Sequence, residues 1–235
     1  IRFDRRLDRA VWSSEDARWV LEIACTNGAT PERISCNFLL VCSGYYSYDE
    51  PVLPHFEGEK DFEGRMFHPQ LWPEDLDYAG KRVVVIGSGA TAMTLVPAMA
   101  ESGAHVTMVQ RSPTYVVYRP DQDRIANTLR RFLPEKAAYA LTRFKNVHLQ
   151  NYVYRQTRPR PEKVRNKLLG MVRKALGPDY DVDRHFTPHY NPWDQRLCLI
   201  PNDDLFNVIN NGSAEVVTDT IESFTNQGLR LGSGA

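Results

Sequence analysis

The chain has 235 residues, of which 42% are hydrophobic and 25% charged, and its 29 basic and 29 acidic side chains cancel. This composition is ordinary for one or two globular domains, and zero net charge excludes a general electrostatic attraction to nucleic acid or membranes. No apolar run has the roughly 18 residues of a transmembrane segment, and no segment has the pattern of a signal peptide.

The cysteines stand apart in apolar stretches and lack the CxxC spacing of redox or zinc motifs. They are Cys25, Cys36, Cys42 and Cys198. This usage predicts buried free thiols of a reducing compartment rather than disulfides or metal ligands. A cytoplasmic location is therefore expected.

The first 44 residues are predicted to be rich in β-strands. Residues 9–12 and 18–23 alternate partly between apolar and polar side chains on either side of a turn. Residues 37–42 form a short, continuous apolar run, which predicts a buried strand of a parallel sheet. Because the chain opens on a strand-like run and stops at a turn signal, we expect it to be a fragment.

The middle of the chain changes from a linker to an alternating α/β pattern. Residues 45–80 are rich in proline, glycine, tyrosine and acidic residues and lack a sustained period. Strands are then predicted at 81–86 and 105–110, with a glycine turn and a helix at 90–102 between them. Pro97 lies within that helix, where proline is expected to cause a kink.

Residues 119–174 contain 15 lysines and arginines against four acidic residues, and their apolar side chains recur at helical spacing. This pattern predicts a helical insertion over about 119–190. Nucleic-acid binding is one interpretation of the charge, but solvated helix faces, or a surface met by other parts of an enzyme, are the favoured ones. Strands are predicted again at 196–200 and 214–217.

The glycine turn at residues 87–92 has the sequence GSGATA, a GxGxxA motif between a strand and a helix. Gly87 permits the tight turn, Gly89 lets the backbone approach a pyrophosphate, and Ala92 replaces a third glycine and keeps helix and strand close. The helix N-terminus offers N–H groups and a partial positive charge to phosphates. The cofactor-binding residues predicted here are Gly87, Ser88, Gly89, Thr91 and Ala92.

The end of the next strand indicates which dinucleotide is bound. NAD sites usually have an acidic residue there, which accepts hydrogen bonds from the ribose. This chain has Arg111 and Ser112 instead, 24 and 25 residues beyond Gly87. A guanidinium suits a 2′-phosphate, and the serine adds a hydroxyl donor. NADP is therefore predicted in preference to NAD or FAD at this turn.

A second motif lies in the linker, where residues 62–73 read FEGRMFHPQLWP. It resembles the fingerprint of the Baeyer–Villiger monooxygenases, FxGxxxHxxxW followed by proline or aspartate, at every specified position. The matching residues are Phe62, Gly64, His68, Trp72 and Pro73. Residues 40–46, 84–115 and 190–198 also resemble this class of flavoprotein monooxygenases, so the likeness covers the whole chain.

This resemblance implies the NADPH-binding portion of an FAD-dependent enzyme that inserts one oxygen atom from O2 into ketones, or onto the sulfur of a sulfide or thioamide. The family's active-site arginine falls on Arg196, which makes it the expected catalytic residue. His68 and Trp72 are expected to couple the linker's conformation to cofactor binding. Many relatives have lysine at the position of Gln195, so Arg111 is expected to contribute more to binding the 2′-phosphate.

The resemblance also implies a domain organisation and an α/β fold. Residues 1–44 correspond to the β-rich end of an FAD domain, and 45–80 to the linker. Residues 81–235 correspond to a Rossmann-type NADPH-binding domain with the helical insertion. The family's FAD-binding GxGxxG motif is not found, since the chain contains a single glycine fingerprint.

Two other function classes stay open beside the monooxygenase. A flavin-linked disulfide reductase has similar nucleotide domains but needs a CxxC or CxxxxC pair, which this sequence lacks. A noncatalytic dinucleotide-binding or interaction module would fit the missing FAD motif. A metal site at His185 and His189 is disfavoured because Pro188 opposes a helix between them and no HExxH motif is present.

Overall fold

The computed structural model describes residues 1–44 and 46–234. Tyr45, where the predicted linker begins, and Ala235, where the predicted dinucleotide domain ends, lie outside the described residues. The chain divides into two compact units, Ile1–Val52 and Leu53–Ala235. None of the helices among the described residues is both long and apolar enough to span a membrane.

The first unit contains a three-stranded antiparallel sheet of β1 (Arg5–Ser13), β2 (Arg18–Cys25) and β3 (Glu32–Cys36), in that order. The strands predicted at 9–12 and 18–23 are confirmed as parts of β1 and β2. Trp12 and Trp19 face each other across this pair, with ring centroids 5.6 Å apart. Such aromatic cross-strand pairs stabilise an antiparallel register.

The buried strand predicted at 37–42 is wrong. These residues form no strand, and the side chains of Phe38, Leu40 and Val41 are 79%, 73% and 66% exposed. An apolar run becomes a strand only if a neighbouring strand pairs with its backbone, and none of the described strands does so. The cysteines were likewise expected to be buried, but only Cys198 is, whereas Cys42 is exposed.

The second unit alternates strands and helices after two single-turn 3-10 helices. Its elements in the described residues are the 3-10 helices Glu59–Asp61 and Pro69–Leu71, β4 (Arg82–Ile86), α1 (Ala90–Glu101), β5 (His105–Gln110), β6 (Tyr115–Arg119), α2 (Arg124–Phe132), α3 (Glu135–Thr157), α4 (Pro161–Leu176), α5 (Val182–Phe186), β7 (Leu197–Pro201), α6 (Asp204–Asn210), β8 (Ala214–Thr218), β9 (Ile221–Thr225) and β10 (Gly228–Leu231). The strands predicted at 81–86, 105–110, 196–200 and 214–217 are confirmed as β4, β5, β7 and β8. Three helices, α2, α3 and α4, occupy most of the basic segment.

Two parallel sheets organise this unit. One has the order β4-β5-β8 and the other pairs β6 with β7. The helix α1 connects β4 to β5, as a parallel pair requires, and it continues through Pro97 to Glu101. Its buried side chains, including Val96, join Val106 and Met108 of β5 in the apolar core. The carboxyl ends of β4, β5 and β8 consequently share one edge.

Two backbone hydrogen bonds tie the segment before β4 to the β9–β10 hairpin. Phe224 N–H donates to the Glu57 carbonyl over 2.7 Å, and Glu63 N–H donates to the Asn226 carbonyl over 3.0 Å. Gly58 has a φ of +74°, and a Cβ there would overlap the carbonyl oxygen of Phe224. Glycine is therefore required at this crossing for both its conformation and its size.

Candidate functional site

The glycine turn forms the end of β4 and the start of α1. Gly87 N–H donates to the Val109 carbonyl over 2.8 Å, and its φ of +117° lies in the region that favours glycine. Gly89 is the N-cap residue of α1, and no side chain caps the first helical turn. The N–H groups and positive end of the helix dipole are thus available to an anion.

Gly89 differs from Gly87 because nothing inside the described chain requires it to be glycine. Its φ of −79° and ψ of 178° are extended values that any residue adopts. A Cβ built there would meet no atom closer than 3.9 Å, and that atom is Nη1 of Arg196. The absent side chain leaves open space directly beside the uncapped turn.

Arg111 directly follows β5, and hydrogen bonds hold the end of that strand in place. The preceding Gln110 is 2% exposed, and its side-chain amide donates to the His185 carbonyl over 2.7 Å and to Thr218 Oγ1 over 2.9 Å. Arg111 and Ser112 are exposed immediately afterwards. Arg111 forms no ion pair with any residue that the structure describes. Its guanidinium is free to bind an external anion.

His185 supports this strand end through a contact with Thr218. Its Nδ1 atom lies 2.9 Å from Thr218 Oγ1, and burial, helped by the nearby Arg184, lowers the pKa of its imidazole. The neutral ring therefore suits its position on α5, where it contacts β8. Within residues 1–44 and 46–234, no three potential metal ligands cluster.

Arg196, immediately before β7, lies beside the glycine turn although it is distant in sequence. Its Nε donates to Thr114 Oγ1 over 3.1 Å, while Nη1 points toward the space that a Gly89 side chain would fill. The amino end of the β6–β7 sheet thus meets the carboxyl end of β4. The structure brings together the predicted catalytic arginine and the predicted phosphate-binding turn.

The carboxylate nearest to Arg196 along the chain is held elsewhere. Asp194 accepts a 2.7 Å hydrogen bond from Arg158 Nη1, at the end of α3. Arg158 is also placed over the ring of Tyr154, 5.3 Å from its centroid. Arg196 itself forms no ion pair with a described carboxylate, so its charge is not neutralised by the protein.

Ser88 uses its hydroxyl within the protein. The side chain is 4% exposed, and its Oγ donates to the Ser112 carbonyl over 3.4 Å and lies 3.5 Å from Thr114 Oγ1. The buried thiol of Cys198 donates to the Ser88 carbonyl over 3.9 Å, and burial raises the pKa of that thiol. The hydroxyl of Ser88 is therefore engaged inside the protein. Sequence reasoning did not single out Thr114, because no motif marks a lone threonine before a strand.

Two residues of the linker fingerprint, Phe62 and Trp72, form aromatic contacts away from the turn. The Phe62 ring packs against Gly64, where a Cβ would overlap it, and lies 5.8 Å from the ring of Phe224. Trp72 packs edge-on against Phe67 and Tyr78 at 5.3 and 6.2 Å. Nδ1 of His68 accepts the Gln70 N–H over 3.1 Å and so begins a 3-10 helix.

Among the described residues, no hydrogen bond or ring contact links Phe62, His68 or Trp72 to residues 87–92. The fingerprint therefore shapes the approach to β4 and lies apart from the glycine turn. Pro73 follows Trp72 and is half-buried. The role of His68 and Trp72 in coupling the linker to cofactor binding stays a prediction.

Comparisons with known proteins identify the family of the chain. The flavin-binding monooxygenase-like family model matches residues 9–157. The chain is 55% identical over 235 residues to the FAD-containing monooxygenase EthA of Mycobacterium tuberculosis (strain H37Rv), covering all of this chain and 48% of EthA. It is 46% identical to the probable FAD-binding monooxygenase AlmA of Acinetobacter baylyi, covering 47% of AlmA. The chain thus spans about half the length of these relatives.

Solved structures share the fold at low sequence identity. An oxidized steroid monooxygenase bound to NADP superposes with a TM-score of 0.67 at 22% identity, covering all of this chain and 50% of that protein. Cyclohexanone monooxygenase from Rhodococcus sp. Phi1, bound to NADP+, gives a TM-score of 0.59 at 20% identity, again covering 100% and 50%. The mixed α/β architecture with parallel sheets is therefore similar to the fold of these two monooxygenases.

Proposed function

This chain belongs to the flavin-binding monooxygenase-like family, and from that premise we propose that it is the NADPH-binding portion of an FAD-dependent Baeyer–Villiger monooxygenase. The reaction of the whole enzyme is the insertion of one oxygen atom from O2 into a ketone, or onto the sulfur of a sulfide or thioamide. The bound nicotinamide and flavin supply the hydride and the oxygen chemistry. The protein supplies binding, orientation and electrostatics.

The observation that carries this proposal is the open space at Gly89. Neither the backbone angles of Gly89 nor any neighbouring residue in the described chain requires glycine at this position. An approaching pyrophosphate explains it, because phosphate oxygens need direct access to the backbone N–H groups of the turn. Gly87 makes the turn possible, Ala92 keeps α1 close to β4, and Thr91 is exposed in the first helical turn beside the ligand.

Arg111 and Arg196 bind different parts of the dinucleotide. Arg111 and Ser112 follow β5, where a dinucleotide's adenosine ribose lies in folds of this type, and hold the 2′-phosphate. Arg196 lies beside Gly89. Its guanidinium, which has no ion pair among the described residues, stabilises the negative charge that develops on oxygen during the reaction. This is the role of a catalytic cation.

The finer domain organisation follows from this assignment. Residues 81–235 act as the Rossmann-type NADPH-binding domain, with α2–α5 as a helical insertion between β6 and β7. Residues 45–80 act as the linker that carries Phe62, Gly64, His68, Trp72 and Pro73. Residues 1–44 act as the end of an FAD domain, so FAD is a cofactor of the whole enzyme.

Gly89→Ala tests the proposal because the added methyl group fits the free protein but fills the path of the phosphates. We expect an unchanged melting temperature and a loss of NADPH binding of at least about tenfold in calorimetry, equivalent to roughly 1.4 kcal/mol. Gly170→Ala is the matched control, since that glycine lies within α4 with no atom near its Cβ position. Unaltered NADPH affinity in Gly89→Ala, or no NADPH binding by the unmutated chain, would contradict the assignment.

A further inference from the structure

A threonine that no motif predicted holds the side chain of Arg196. Thr114 is 1% exposed, and its Oγ1 accepts the hydrogen bond from Arg196 Nε over 3.1 Å. This bond engages only the inner nitrogen of the guanidinium. Of the two terminal nitrogens, Nη1 lies 3.9 Å from the position that a Gly89 Cβ would occupy.

The threonine hydroxyl belongs to a chain of hydrogen bonds. Ser88 Oγ donates to the Ser112 carbonyl, 3.4 Å away. Thr114 Oγ1 lies 3.5 Å from Ser88 Oγ, and either hydroxyl can be the donor of that pair. These contacts, made by residues just beyond the ends of β4 and β5, restrain the position of the acceptor for Arg196.

The backbone of Arg196 is restrained independently of its side chain. Tyr190 Oη donates to the Arg196 carbonyl over 3.0 Å, and Tyr115 Oη donates to the Tyr190 carbonyl over 2.8 Å. The rings of these tyrosines pack edge to face at 5.4 Å. Tyr115 follows Thr114 directly, so one short segment holds both the main chain and the guanidinium of the arginine.

We propose that Thr114 is a positioning residue, which fixes the Arg196 guanidinium against the phosphate and nicotinamide side of the bound dinucleotide. This inference rests on the proposed function, since it takes NADP as the ligand of the glycine turn. An exposed arginine loses considerable rotamer freedom when it binds an anion. A buried acceptor that restrains Nε beforehand reduces the entropy lost on binding.

The test is calorimetry of NADP+ binding to the 235-residue chain with substitutions at both residues. Thr114→Val keeps the shape but removes the acceptor, and we expect binding to weaken about tenfold, the scale of one hydrogen bond to a charged group. Thr114→Ser keeps the hydroxyl and is expected to restore nearly full affinity. Arg196→Ala should weaken binding at least as much, and adding Thr114→Val to it should have no further effect.

Thr157→Val is the matched control, because Thr157 is also 1% exposed but its hydroxyl donates only to the Val153 carbonyl of its own helix. It should bind NADP+ normally. If Thr114→Val does not fold, Arg196→Lys provides the same test, since lysine keeps the charge but lacks the Nε–H group. Wild-type affinity in Arg196→Lys would then overturn the proposal.

Two further outcomes separate the inference from the proposed function. If Thr114→Val weakens binding equally with and without Arg196, or if serine fails to restore it, the threonine acts on the fold and the positioning role is wrong. The assignment of the turn to NADP would survive that result. If the unmutated chain binds no NADP+, the proposed function fails and the role of Thr114 fails with it.

Discussion

Replacing Arg111 with alanine should remove most of the preference for NADPH over NADH. The structure places this arginine at the end of β5, exposed and without an ion pair among the described residues. The buried amide of Gln110 fixes the backbone immediately before it. NADH lacks the 2′-phosphate, so it should bind Arg111→Ala and the unmutated chain almost equally.

The size of the expected NADPH preference depends on which interactions Arg111 loses when it binds the phosphate. No protein ion pair must be broken, so the full interaction with phosphate, about 1.5–3 kcal/mol for a charge-assisted hydrogen bond, contributes to binding. That range corresponds to a preference of roughly 10-fold to 150-fold. Because the side chain is exposed and salt screens its charge, we expect a value in the lower half of the range.

The assay is calorimetric titration of both cofactors at fixed ionic strength into the unmutated chain, Arg111→Ala and a control. Arg119→Ala is the control, since Arg119 is also an exposed arginine at the end of a parallel strand, β6, but in the other sheet. It should keep the preference. Equal affinity of NADPH and NADH for the unmutated chain would refute the reasoning, as would an equal loss in Arg119→Ala.

The remaining predictions concern the flavin, catalysis and stability. The purified chain should be colourless, because a flavin dinucleotide needs its own glycine turn; a stoichiometric flavin absorbance band would contradict this. In the complete monooxygenase, Arg196→Ala should lower ketone oxygenation by about 10²–10³, measured by stopped-flow absorbance, and a near-normal rate would exclude a catalytic role. Gly58→Ala should lower the melting temperature more than Gly80→Ala, because both glycines have positive φ but only a Cβ at Gly58 would meet the Phe224 carbonyl. The expected strain is about 1–3 kcal/mol. Equal shifts of the melting temperature would refute the steric argument. Burial lowers the pKa of His185, so this residue should stabilise the fold fully above about pH 6.5 and progressively less as pH falls below the pKa of the unfolded imidazole. His185→Gln should therefore flatten the fall of the melting temperature below that pH. An unchanged slope would show that other groups cause this pH dependence.

Local sequence patterns predicted those elements of the fold that depend on residues close together in the sequence. The strand, turn and helix around Gly87 and Gly89 were predicted correctly because each step needs only contacts a few residues apart. The run at 37–42 was predicted wrongly because apolar composition does not reveal whether another strand pairs with it. The hydrogen bond between Thr114 and Arg196 joins residues 82 positions apart, and no periodicity or motif encodes such a contact. The resemblance to the monooxygenase family identified Arg196 but not Thr114, its hydrogen-bond partner.

The hydrogen bonds that join Glu57 and Glu63 to the β9–β10 hairpin have a consequence for folding. They join residues 167 and 163 positions apart in the sequence. A loop of that length must close before either bond can form, and contacts between residues so far apart slow the folding of a domain. The β9–β10 hairpin should therefore be among the last parts of the second unit to gain protection from hydrogen exchange during refolding.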